Sequence, residues 1–125
     1  MPNFSGPSNS PQPSTAAMPV RAATLTFTAV VLQLQTAELF ADGLPGLNAW
    51  FRQTAGAGAV TVQLEFMQGL TANLVIDWQP LVPAFGLALL VPSLVGNSLG
   101  SPRYRATITS TGVATVQYRL VGRFT

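Results

Sequence analysis

The sequence predicts an all-β chain: an antiparallel β-sandwich or jelly-roll-like barrel with an extended N-terminal arm. Three observations predict it. Apolar side chains alternate with polar ones at a period of two through most of residues 23–120, the pattern of half-buried strands. Glycine and proline, 11 and 10 residues of 125, punctuate the alternating stretches. Almost nothing holds a helical period. Six to eight strands fit, in one domain of residues 21–125 behind an arm of residues 1–20.

The arm reads MPNFSGPSNSPQPSTAAMPV and has no charge before Arg21. Pro2, Pro7, Pro11, Pro13 and Pro19 fix their own φ and keep the preceding residues out of the helical region, so the segment runs extended. It lacks the basic and apolar regions of a secretory signal. A loose tail is what such composition ordinarily gives. The sharper reading is an arm that becomes ordered on a neighbouring subunit, with Pro7, Pro11 and Pro13 as contact residues.

Residues 23–40, ATLTFTAVVLQLQTAELF, alternate in two registers. Leu25, Phe27, Ala29 and Val31 form one apolar face; Val30, Leu32 and Leu34 then form another, with Gln33 and Gln35 polar. A strand cannot change phase without a bulge or corner. The break is placed at residues 29–31, where one strand passes from one packed sheet to the other. Residues 40–58 are turn-rich, with a short helical turn over 47–53 and a flexible GAG connection at 56–58. Residues 59–67 alternate cleanly, with Val60, Val62, Leu64 and Phe66 inward. Residues 72–78 give a strand with Leu74, Ile76 and Trp78 on one face. Residues 79–83, QPLVP, are barred from a central strand because proline donates no ladder hydrogen bond. A short strand follows at 85–91, then a loop at 93–102.

The last segment alternates on both sides of Ser110-Thr111-Gly112. Tyr104, Ala106 and Ile108 face inward before it; Ala114, Val116, Tyr118 and Leu120 do so after it. The loop fits a three-residue hairpin with Gly112 in the left-handed position. That register sets Arg103 opposite Arg119, with Arg105 diagonally adjacent to Arg119, on the outer face. Like charges so placed repel. Either a partner's carboxylates, or phosphates, complete the cluster, with a carboxylate preferred, or the guanidinium groups splay into water. Glu65 and Asp77, outward on neighbouring strands, are alternative counter-charges.

Composition excludes more than it assigns. The chain has no cysteine and no histidine, which removes disulfides, thiolate chemistry, the usual zinc sites and the Ser-His-Asp triad. No cofactor or metal is expected, and no enzyme. Only 8% of residues are charged, about a third of the usual fraction of roughly 25%. All six basic residues are arginines, and the net charge is only +2. Dispersed arginines without aromatic platforms make nucleic acid a poor partner. The apolar run at 81–96 is too short to span a bilayer and is broken by Pro83 and Pro92. So little charge fits either a neutral Thr/Gln-coated domain or a subunit whose surface is buried by neighbours. Trp50, Phe51 and Trp78 fit core or interface packing, with sugar stacking as the alternative.

The closing stretch YRATITSTGVATVQYRLVGR resembles a recurrent ending of bacteriophage virion proteins with a β-sandwich fold; the resemblance covers residues 103–123. With the small size, the sparse charge and the Pro/Ser arm, the chain is similar to capsid decoration (cement) proteins. That resemblance implies a non-enzymatic structural subunit of a virion. It would be a homo-oligomer, a trimer by preference, tethered through its arm to the major capsid protein or another virion protein. The competing reading is a carbohydrate- or receptor-binding module of a tail fibre or adhesin, which calls for a concave surface with an exposed aromatic.

Overall fold

The computed structural model describes residues 19–41 and 44–123. The arm residues Pro7, Pro11 and Pro13 lie outside them. Nine strands follow in order: β1 (Val20–Phe27), β2 (Gln33–Phe40), β3 (Gly46–Ala55), β4 (Val60–Leu70), β5 (Ile76–Pro80), β6 (Phe85–Gly86), β7 (Ser93–Asn97), β8 (Arg103–Ser110) and β9 (Ala114–Arg123). They form two antiparallel sheets, β1-β9-β3-β7 and β2-β8-β4-β5, with β6 beside β5 on the free edge of β4. The all-β sandwich is as the sequence predicts. β1 already begins at Val20, so the strand starts inside the segment assigned to the arm.

The core lies between the sheets and is built from the period-two residues. Leu47, Ala49 and Phe51 of β3 and Val116, Tyr118 and Leu120 of β9 face Val60, Val62 and Leu64 of β4 and Tyr104, Ala106 and Ile108 of β8, all buried. Phe51 meets Phe85 edge-on at 5.9 Å. Among the described residues the buried polar side chains Gln53, Ser101 and Ser110 are all hydrogen-bonded, as a dry interior demands, whereas Nε of Arg52 and of Arg103 is buried without a partner. The Tyr104 hydroxyl accepts from the Ser101 N–H, and Ser101 Oγ donates to Met67 O.

Most connections cross from one sheet to the other; the β4–β5 and β5–β6 connections stay within one sheet. The phase change near residues 29–31 is such a crossing: β1 ends at Phe27 in one sheet and β2 starts at Gln33 in the other. The second register is the reverse of the expected one. Gln33, Gln35, Ala37 and Leu39 take the inner side, and Leu34 stands outside with Val30, Val31 and Leu32. The buried pair Ala37 and Leu39 decides the phase.

Ser110-Thr111-Gly112 is not a hairpin. β8 pairs with β2 and β4, and β9 with β1 and β3, so the loop arches over the core. A hairpin and an arch share the same alternation, since either way each strand buries one face. Gly112 has no left-handed φ; Gly56 does, at 91°. The expected helical turn at 47–53 is strand β3, whose Leu47, Ala49, Phe51 and Gln53 alternate inward. The expected loop at 93–102 contains edge strand β7. The strand expected at 85–91 is reduced to Phe85–Gly86. That at 72–78 starts only at Ile76, because Leu74 takes a left-handed turn with φ 62° and stays exposed.

The GAG connection is locked rather than slack. The Gly58 N–H donates to Val113 O at 2.9 Å, and the Thr111 N–H to Ala59 O at 3.1 Å, tying the β3–β4 and β8–β9 arches together. The buried Gln53 carboxamide donates to Gly56 O and Gly58 O, both at 3.1 Å. A Cβ on Gly56 would stand 2.3 Å from Val113 O, on a backbone that side chains rarely adopt. Gly56→Ala is therefore expected to lower the unfolding free energy by about 1–3 kcal/mol. Gly69→Ala, where a Cβ meets open space, should shift it by less than about 0.5 kcal/mol. Urea melts of the two variants check this.

Candidate functional site

Three surface regions come from placing the outward residues on this frame. The first is the outer face of the β2-β8-β4-β5 sheet. Registers put Glu38 and Glu65 on either side of Arg105, and Phe40 beside Arg103. Arg105 donates through Nε and Nη2 to Glu65 Oε1, at 2.9 and 2.7 Å, and Arg103 Nη2 donates to Glu38. Aromatic rings cover the guanidinium groups. Arg103 lies 4.3 Å from the Phe40 ring centre and Arg105 4.4 Å from that of Trp78. One ladder thus ties β2, β8, β4 and β5 together.

This settles the arginine cluster differently from the hairpin register. Arg103 and Arg119 sit in different sheets and cannot face each other. The counter-charges come from the chain itself, with Glu65 in the alternative role the sequence allowed it. Neither guanidinium splays into water. Asp77 instead accepts from Gln79 Nε2 at 2.7 Å. Glu38 was missed because the inverted phase of β2 hid which of its residues point outward.

The second region is the outer face of the β1-β9-β3-β7 sheet. A row runs Ala22, Arg119, Trp50, Leu94 across all four strands. Small residues at Ala22, Thr24 and Gly96 leave the floor low, and the face is a concavity of about 980 Å³. Trp50 is half-buried in it, while Leu94 stands 76% exposed. Arg119 makes no ion pair or hydrogen bond among the described residues, the only one of the three predicted arginines left so. The Asn48 carboxamide spends its oxygen on Arg123 Nε at 3.0 Å, so its NH2 remains available to donate. Gln117 completes the polar lining.

The third region is one end of the sandwich. The arches at 56–59 and 111–113 meet there, and Val30 of the β1–β2 crossing lines a recess with Ala57, Gly58 and Val113. The 87–92 connection joins them: the Leu87 N–H donates to Val60 O and the Leu90 N–H to Gln53 O. Val30 and Leu32 are 83% and 71% exposed, and Val31, Leu89, Leu90 and Val91 are exposed as well. None of the six basic and four acidic side chains lies in these segments. Leu90 holds a left-handed φ of 64°, an arrangement that a bulky side chain adopts only under constraint.

Among the described residues no three acidic side chains gather as a metal site, and no helix is long and apolar enough to cross a membrane. Neither a protein-family model nor a curated protein matches the chain.

The ladder behaves as a structural clamp. Arg105→Ala strands Glu65, whose side chain is only 17% exposed, and is expected to lower the unfolding free energy by about 1–2 kcal/mol. Adding Glu65→Ala should recover part of that loss, because the unpaired charge goes with it. A double-mutant cycle from thermal or urea melts reads the coupling.

Proposed function

We propose that the protein is a non-enzymatic structural subunit of a phage particle, a capsid decoration or cement protein that oligomerises, as a trimer by preference. The apolar, charge-free end carries this reading. Exposed apolar surface marks a contact site, and this end carries two groups of it, Val30, Val31 and Leu32 at the β1–β2 crossing and Leu89, Leu90 and Val91 in the 87–92 connection. The occupant is better a protein than a bilayer. Loops that seat in lipid are flanked by Trp, Tyr, Lys or Arg, and these segments hold none. The order of strands in the two sheets also fits jelly-roll wrapping, an architecture of viral capsid and lectin domains; that likeness is one of fold alone. The arm, in this reading, tethers the subunit to a neighbour, and two modest contacts on one chain reinforce each other through effective concentration.

A carbohydrate- or receptor-binding module is the second reading, favoured by one feature: the concavity holding Trp50. Glycan binding abolished by Trp50→Ala would establish it.

Multi-angle light scattering of the full chain is expected to give an oligomer. The double variant Val31→Asp, Leu32→Asp should run as a monomer with an unchanged melting temperature, since both side chains are exposed and leave the core intact. A wild-type chain that stays monomeric at tens of micromolar removes the assembly reading.

A further inference from the structure

We propose that the concave outer face of the β1-β9-β3-β7 sheet is the docking groove for the proline-rich segment, residues 1–18, of a neighbouring copy of this chain. The inference rests on the assembly reading and assigns it a site.

The first argument is chemical. A proline-rich segment favours the polyproline II conformation, which makes no internal hydrogen bonds and leaves its carbonyls seeking donors. Grooves that take such segments pair a flat aromatic wall with donors at their rim. Here Trp50 is the aromatic, and donors come from the Asn48 NH2 and the Arg119 guanidinium, neither of which has a partner among the described residues, and from the Gln117 carboxamide. Ala22, Thr24 and Gly96 keep the floor low enough for a backbone to lie on it. Neither side brings a conflicting charge. Residues 2–18 carry none, and among the described residues that line the groove Arg119 alone is charged.

The second argument is direction. Pro19 O still accepts from the Gly122 N–H at 3.0 Å, so the chain enters β1 already paired to the end of β9. Ala22 and Thr24, which line the groove, lie downstream of that point. Reaching the groove of its own copy requires the segment to reverse direction at Pro19, which reaching a neighbour's groove does not. Eighteen residues at about 3.1 Å each reach about 55 Å, far enough to cross to an adjacent subunit.

The absence of cysteine makes the test direct. Two full-length single-cysteine proteins, Ser14→Cys and Gly96→Cys, are mixed under mild oxidation. A Cβ at Gly96 meets nothing closer than Asn48 Oδ1 at 3.6 Å, so the second cysteine fits. Disulfides between unlike chains are expected to exceed those between like chains by about tenfold, through the high effective concentration of a docked segment. Introducing Trp50→Ala into the Gly96→Cys protein should reduce that yield by about tenfold, the loss typical of an aromatic anchor, with light scattering showing the variant still assembled. Statistical disulfide yields from an oligomeric protein overturn the groove assignment and leave assembly standing. A chain that is monomeric by light scattering removes both. A double variant, Ser14→Cys with Gly96→Cys, that closes only within one chain overturns docking between copies. So does a soluble glycan that protects Gly96→Cys from alkylation while residues 1–18 do not.

Discussion

The central strands β3, β4, β8 and β9 each have one face to bury, and they bury it against strands of the opposite sheet. The chain therefore spends most of its reversals crossing the core, and the crossings must be held at fixed separation for the two inner faces to mesh. Gln53 and the glycines at 56 and 58 supply that separation where β3 passes to β4 and β8 to β9. A carboxamide buried beside the core would be a liability if unpaired; with two backbone carbonyls as partners it ties the arch to the strand that precedes it. The hydrophobic alternation brings the sheets together, and this joint sets how they meet.

Charge is distributed by the same logic. With only four acidic residues in the chain, two are committed to Arg103 and Arg105 in a ladder that runs across one sheet. Partly shielded pairs of this kind contribute modestly to stability, yet ring stacking on Phe40 and Trp78 adds to them and fixes four strands in one register. With those two acids committed there, Arg119 on the opposite sheet faces a concavity that holds no carboxylate among the described residues. The two outer faces are thus chemically distinct: one closed on itself, the other with donors unspent.

The all-β class, the inward residues of β4, β8 and β9 and the existence of a corner after β1 were legible because period-two alternation is a local signal. Pairing partners were not. Alternation on both sides of a glycine loop describes a hairpin and an arch equally, and the choice depends on which strands flank β8 and β9 in space. The same ambiguity inverted β2, where Leu34 looks like core and Ala37 like filler; Leu34 is exposed because Ala37 and Leu39 meet the opposite sheet. β3 was hidden by its neighbours, since Gly46 and the AGAG run read as turn while the residues between them alternate like any strand. Of the candidate site, Arg103 and Arg105 were visible as outward residues. Their partner Glu38 and the Trp50 concavity depended on pairings that the sequence does not state.

Along the strands, surface character changes in one direction. On the outer face of the β2-β8-β4-β5 sheet, the ladder of Arg103, Arg105 and their acids gives way to the row Thr36, Thr107, Gln63, and then to Leu34, Thr109, Thr61. On the other sheet, the row containing Arg119 and Trp50 gives way to Gln117 and Arg52, and then to Thr26 and Thr115. Both threonine rows stop at the same charge-free end. A monomer that needed only to stay dissolved would gain by spreading its few charges over every exposed region. Segregating them toward one end leaves the other with nothing that water solvates strongly and nothing that repels a second apolar surface. Covering the apolar end is then opposed by no charge, which is how the gradient supports the proposed assembled subunit over a free one.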